Sequence, residues 1–169
     1  MSTIDGASVK MRAMEAQHSV RGLALIIVVL LVGGWFGAGT ASAAELGDYR
    51  WERRPLLVFA PTERDPRLVE TVRRIDASRC DFASRDMVAG LVVAEGSSTL
   101  DGQLIDTAQS QRLRDQFAIN DDAFTVLLIG KDGGEKRRVN DVPDLQAIYA
   151  LIDGMPMRSR EMDTDPSRC

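Results

Sequence analysis

Few residues in this chain have side chains suited to covalent or acid–base chemistry beyond carboxylates and hydroxyls. There are two cysteines, Cys80 and Cys169, and a single histidine, His18. A cysteine acts as a nucleophile or redox group through its thiolate, which forms where a helix N-terminus or nearby cations lower the thiol pKa. Cys80 has Arg79 and Arg85 close by in sequence. It falls, however, toward the C-terminal end of a helical stretch that starts at Pro66, where the helix dipole disfavours negative charge. The plainer expectation is a semi-buried structural cysteine that packs as a small hydrophobe. Cys169 is the last residue. Joined to Cys80 it would close a long loop and contribute on the order of 4 kcal/mol if unstrained; in a redox role it would be the resolving partner of Cys80. His18 lies in a leader segment whose removal excludes a Ser-His-Asp triad or a histidine metal site.

The arginines carry the other chemistry. Arg50, Arg53, Arg54, Arg64 and Arg67 cluster around an apolar run at 56–60, and Arg64 and Arg67 flank the start of the helix at Pro66. Helix N-termini accept anions, and the guanidinium presents a fork of donors to carboxylate or phosphate. Arg64, Arg67 and Arg54 are therefore the candidate anion site. Pairing with Glu52, Glu63 and Asp65 is the competing reading. Gly130-Lys131-Asp132-Gly133-Gly134 lacks the phosphate-loop spacing and reads as a turn. Asn120-Asp121-Asp122 lacks the spacing of a calcium loop. No metal site and no cofactor are expected. Met155-Pro156-Met157 packs the chain end onto the core or offers an adaptable contact surface.

The elements that must position these residues follow a leader. Lys10, Arg12 and Arg21 precede Gly22 to Ala44, which carry no charge, and Leu23 to Val32 are continuously apolar. Ala41-Ser42-Ala43 supplies the small-residue site of a secretory signal peptide, cleaved after Ala43 or Ala44. The alternative is an uncleaved anchor, and membrane association is expected only in that case. The expected organisation is a signal peptide over 1–44, a domain over 45–160 and a polar tail over 161–169, with a periplasmic or secreted location. The net charge of the chain is −4, and a mildly acidic domain is a poor nucleic-acid binder.

Within the domain, Leu56 to Ala60 reads as a buried strand between prolines. Asp65 is a natural N-cap with Pro66 at the first helical position. Met87 to Ala94 is a second apolar strand, and the intervening helix has the length of a parallel crossover. Gly96 to Gly102 reads as a polar loop and Asp106 to Phe117 as a helix. Phe124 to Ile129 is a third strand, turned by Asp132-Gly133 into a polar edge strand at Glu135 to Val139. A helix over about Pro143 to Asp153 closes the order β-α-β-α-β-β-α. This is a minimal thioredoxin-like plan with a four-stranded mixed sheet in order 2-1-3-4 and helices on both faces.

Tyr49-Arg50-Trp51, Arg54-Pro55-Leu56-Leu57-Val58-Phe59-Ala60-Pro61, Arg85-Asp86-Met87, Leu128 to Gly134 and Asp153-Gly154-Met155-Pro156-Met157-Arg158 occur in this order. Together they resemble a bacterial family of exported domains of unknown function. That family is related to the repeated domain of sushi-repeat-containing and coiled-coil-domain-containing extracellular-matrix proteins. The resemblance spans roughly residues 46–162. It implies a thioredoxin-like fold, with a proposed peroxiredoxin kinship and no settled reaction.

The usual redox machinery is missing from the sequence. The stretch Pro61 to Pro66 after the first strand has no cysteine, and Asn120 to Ala123 supplies no proline before the third strand. Two expectations follow. One is a non-catalytic module that binds an envelope or extracellular protein or an anionic ligand at its helix N-terminal face. The other is a divergent thiol oxidoreductase or peroxide-handling protein using Cys80, with Cys169.

Overall fold

The computed structural model describes residues 45–164. The signal peptide expected over 1–44 and Cys169 lie outside the described residues. After a 3₁₀ turn at Leu46–Tyr49 come β1 (Arg54–Thr62), α1 (Pro66–Ala77), α2 (Arg79–Ser84), β2 (Met87–Glu95), β3 (Ser98–Leu100) and β4 (Gln103–Ile105). These are followed by α3 (Thr107–Phe117), β5 (Thr125–Ile129), β6 (Glu135–Val139), α4 (Leu145–Asp153) and α5 (Pro156–Thr164). The strands form one sheet in the order β4-β3-β2-β1-β5-β6. β1 and β2 run parallel, with Arg54 opposite Met87; the remaining pairs are antiparallel, with Leu57 opposite Leu127.

The inner order β2-β1-β5-β6 is the one expected from sequence, but the sheet has six strands rather than four. The extra pair comes from the stretch read as a polar loop. Asp101 and Gly102 both take positive φ, 52° and 76°, the twist of a tight hairpin that an Asp-Gly step favours. Ser98 and Leu100 turn inward and are buried.

β1 is apolar on both sides because both sides are covered. Leu56, Val58 and Ala60 face a core with Leu68 of α1, Phe82 of α2, and Ile148, Tyr149 and Ile152 of α4. Leu57 and Phe59 face the opposite core, with Tyr49, Val92 and Leu113 of α3. This is the period-two alternation of a strand in a three-layer α/β sandwich. Gly90 on β2 leaves room for its cross-strand neighbours Leu57 on β1 and Leu100 on β3. A Cβ there would lie 2.6 Å from Leu57 Cδ2 and 2.9 Å from Leu100 Cδ1.

Three helices start on aspartates placed as N-caps. Asp65 accepts from the Arg67 amide, Asp106 from that of Gln109, and Asp144 from those of Gln146 and Ala147. No helix among the described residues is long and apolar enough to cross a membrane.

Candidate functional site: two ends of the first strand

At the C-terminal end of β1, where a thioredoxin-type fold would present its sulfur, the start of α1 is filled by Asp65. Its carboxylate takes the Arg67 amide at 2.8 Å, Arg67 Nε at 3.0 Å and Arg67 Nη2 at 2.6 Å. Arg67 also lies over the Phe124 ring, 4.7 Å from its centroid. The hydrogen bond from the Arg67 side chain is the chief reason that the Asp65 carboxyl is held below its ordinary pKa. The local partner has thus taken the guanidinium fork that an external anion would need. Arg64 is exposed beside it.

Beneath this end lies an arginine that sequence reading did not single out. Arg114 of α3 is 1% exposed and donates to the carbonyls of Ala60 (2.5 Å), Val92 (3.0 Å) and Asn120 (3.0 Å). It ties the ends of β1 and β2 to the turn before β5. Desolvation lowers its pKa, with Asp121 acting in the opposite direction. Nothing in the pattern of α3 marks Arg114 as inward-facing except that Leu113 precedes it.

Cys80 does not sit at the end of α1. The helix stops at Ala77, and Cys80 falls in the first turn of the separate helix α2. It is exposed rather than semi-buried, and it is disulfide-bonded. Among the described residues no group of three or more His, Cys, Asp or Glu side chains is arranged to hold a metal ion.

The N-terminal end of β1 carries a denser arrangement. Arg54, grouped from sequence with Arg64 and Arg67, is at the opposite end of the strand from them and is 1% exposed. Its Nη1 and Nη2 donate to Glu161 Oε2 (3.0 Å) and Oε1 (2.9 Å), a bidentate pair. Nη1 also donates to the Arg85 carbonyl. Lys131, in the turn after β5, is buried and reaches both Asp86 Oδ2 and Glu161 Oε1 at 2.7 Å. Arg158 of α5 donates to Asp153 and to the Ser84 carbonyl, and Arg85 pairs with Asp153 while lying over the Tyr149 ring. Burial works to raise the pKa of Glu161, but hydrogen bonds from Arg54 and Lys131 outweigh it and hold the carboxyl low.

α5 continues past residue 160 to Thr164. The stretch read as the beginning of a polar tail therefore supplies Glu161 to the interior of this cluster.

Two clefts open on Lys131. One, of about 520 Å³, is lined by Trp51, Glu52, Ser84 and Asp86 among others. The second, of about 390 Å³, is lined by Arg54, Lys131 and the ion-paired Lys136 and Asp132 together with Leu151, Met155 and Met157. Trp51 and Asp86 both hold left-handed backbone, φ 72° and 53°; this is uncommon for a bulky side chain such as tryptophan and better tolerated by aspartate. The Trp51 amide is fixed by the Lys131 carbonyl at 2.6 Å.

Residues 45–161 match the family described as Domain of unknown function (DUF4174). The chain belongs to this family. The matched span takes in β1, Asp86, Lys131 and α5 as far as Glu161, so both partners of the bidentate pair fall within the DUF4174 region.

A relative from Danio rerio, "Coiled-coil domain-containing protein 80", is 28% identical over 133 residues. The alignment covers 69% of this chain and 15% of that protein, so the DUF4174 chain spans only a small part of its relative. Among solved structures, the reduced 2-Cys peroxiredoxin of Plasmodium vivax superposes with a TM-score of 0.52 at 12% identity, covering 68% of this chain and 84% of that one. The mitochondrial 2-Cys peroxiredoxin of Plasmodium falciparum gives 0.49 at 13% identity, covering 73% and 85%. The Plasmodium vivax likeness shows a thioredoxin-like fold for this DUF4174 chain.

Proposed function

We propose that this DUF4174 chain is an exported, non-catalytic binding module on a thioredoxin-like scaffold, acting in the periplasm or outside the cell on a protein or an anionic ligand. One observation carries the reading. The position where the fold would place a reactive sulfur holds the Asp65 carboxylate, already engaged by the Arg67 amide and guanidinium. A negative group fixed there repels a thiolate instead of stabilising it, which supports the absence of thiol catalysis at this position. The leader that precedes residue 45, with its Ala41-Ser42-Ala43 site, supports export.

The exposure of Cys80 favours a second reading, a thiol oxidoreductase or peroxide-handling protein using Cys80 with Cys169. Assaying the purified protein for hydrogen peroxide consumption and for dithiol-dependent disulfide reduction separates the two. The binding-module reading expects no turnover above that of a variant with both cysteines replaced by serine. Turnover that disappears in that variant would establish the redox reading instead. Fractionating cells that express the full chain tests export, and an unprocessed cytoplasmic product would refute it.

A further inference from the structure

We propose that Arg54 and Lys131 form a carboxylate-binding site that Glu161 of α5 occupies as a built-in ligand, and that an external carboxylate joined to an apolar body displaces it. This rests on the binding-module reading and names its ligand class.

The pair has the form of a receptor holding a ligand. Arg54 grips both Glu161 oxygens, and Lys131 donates a third contact to one of them. Two parallel guanidinium bonds to one carboxylate are the geometry by which arginine recognises a free carboxylate. Besides the Glu161 pair, the helix that delivers it is held by polar contacts of Arg158 with Asp153 and the Ser84 carbonyl. Arg158 is the only buried residue of α5 among those described, and α5 presents no apolar stripe to the core. A helix of this kind is retained by its polar and charged contacts, and a competing carboxylate acts directly on those that Glu161 makes, leaving Arg158 to tether the start of the helix.

The site is also open to a ligand and has spare donor capacity. The cleft of about 390 Å³ reaches Arg54 and Lys131 from outside, within the size range of small-molecule pockets. Its apolar lining is Leu151, Met155 and Met157, of which Leu151 and Met157 are exposed. A carboxylate seated on the two cations would lay its apolar body against these side chains. Arg54 Nε is buried with no hydrogen-bond partner, leaving one donor that the Glu161 carboxylate does not use. A buried donor without a partner is costly, and a differently angled carboxylate could take it.

Two sources share this chemistry, a fatty carboxylate and the C-terminal carboxylate of a peptide. The test is calorimetric titration of the full-length protein and its Glu161→Gln variant with octanoate and, separately, with acetyl-Gly-Gly-Leu and its C-terminal amide. Removing the internal competitor should tighten at least one of the two acids tenfold or more, and the amide should not bind. Adding Lys131→Met to Glu161→Gln should erase the gain. Tightening by octanoate alone assigns the site to fatty carboxylates, and tightening by the peptide acid alone assigns it to chain ends.

Equal or absent binding in wild type and Glu161→Gln overturns the proposal, as does an amide that binds like the acid. Should Glu161→Gln fail to fold, amide hydrogen exchange of residues 156–162 in the wild-type protein decides. Exchange that accelerates under saturating octanoate and peptide acid supports displacement, and unchanged exchange refutes it. Peroxide turnover would defeat the binding-module reading and leave these affinities as measured. Failure of the carboxylate test would leave that reading standing.

Discussion

Arg54 and Glu161 are joined by two hydrogen bonds of 3.0 and 2.9 Å across 107 residues of chain, tying the first strand to the last helix. Arg54 is 1% exposed and Glu161 keeps some contact with solvent, so truncating the glutamate leaves a buried cation that water reaches only in part. The expected loss for Glu161→Ala is about 3 kcal/mol, the lower end of the range for breaking a buried pair. Urea denaturation of the variant measures it. A midpoint within error of wild type would mean that Arg54 is satisfied without Glu161.

The same carboxylate makes a pH prediction with a definite sign. The folded-state pKa of Glu161 lies below its ordinary value, so between the two the unfolded chain binds more protons than the native one. Its contribution is therefore complete above the ordinary glutamate pKa of about 4.3 and is lost as pH falls through the folded value. The groups facing it are Arg54 from β1, Lys131 from the turn after β5 and Arg158 from its own helix, with Asp86 on the far side of Lys131. Stability measured from pH 7 downward should hold to about pH 5 and then fall, and Glu161→Gln should flatten part of the acid limb. Glu70 is also held low, at about 2, by Arg73 and then Arg74. That group is on the surface, where such pairs add little, and Glu70→Gln should leave the acid limb nearly unchanged.

Arg114 allows a test of what holds the C-terminal ends of β1 and β2. Its guanidinium serves three carbonyls, those of Ala60, Val92 and Asn120. Lysine has one nitrogen and no planar fork, so it cannot reproduce this spread of donors. Arg114→Lys should cost roughly 2–4 kcal/mol through buried carbonyls left unpaired, read as a lowered denaturation midpoint. Accelerated exchange at the amides around Ala60 and Val92 would locate the damage. A variant as stable as wild type would mean that water replaces the guanidinium there.

How much of this was legible beforehand depends on the range of the interaction. The start of α1 was readable because its signals are adjacent: Asp65 as cap, Pro66 as first helical residue, and an apolar spacing of Leu68, Val69, Val72 and Ile75, of which Leu68 and Ile75 are buried while Val69 is exposed and the polar Thr71 takes a buried place. The parallel β1–β2 pair followed from two doubly buried runs separated by a crossover. The β3–β4 hairpin was missed although Asp101-Gly102 announces a two-residue turn, because strands of three residues are too short to show alternation. The Arg54–Glu161 pair had no local signal of any kind. A charged residue at a strand's first position and another on a polar helix look like surface residues until the sheet order brings them together. Arg54 was accordingly grouped with its sequence neighbours Arg64 and Arg67, from which the length of β1 separates it.

Asp65 joins a stability prediction to a binding one. As an N-cap it satisfies the Arg67 amide, and loss of such a cap costs about 1 kcal/mol. Asp65→Ala should lower stability by roughly that amount and at the same time release the Arg67 guanidinium at a helix N-terminus, where anions are favoured. Titrating inorganic phosphate into wild type and Asp65→Ala checks both effects. Binding gained in the variant, and lost again with Arg67→Ala, is the expected result. Phosphate binding already present in wild type and removed by substituting Arg64 and Arg67 would restore the anion site read from sequence.

Cys80 offers the most direct discrimination among functional readings, because it is exposed and disulfide-bonded at once. The folded protein should resist alkylation at Cys80 until reduced and should then be labelled quickly, since the sulfur is on the surface. The chain has one other cysteine, Cys169, so the partner is expected to be that residue. Replacing Cys169 with serine should then make Cys80 reactive without reductant and lower stability by up to about 4 kcal/mol through the lost loop closure. A Cys169→Ser protein that instead runs as a disulfide-linked dimer on non-reducing gels would place the bond between two copies. If the bond reduces only at strongly negative potential it is structural, because labile and catalytic disulfides have higher potentials. A mild potential together with a depressed thiol pKa in the reduced protein would support the redox alternative.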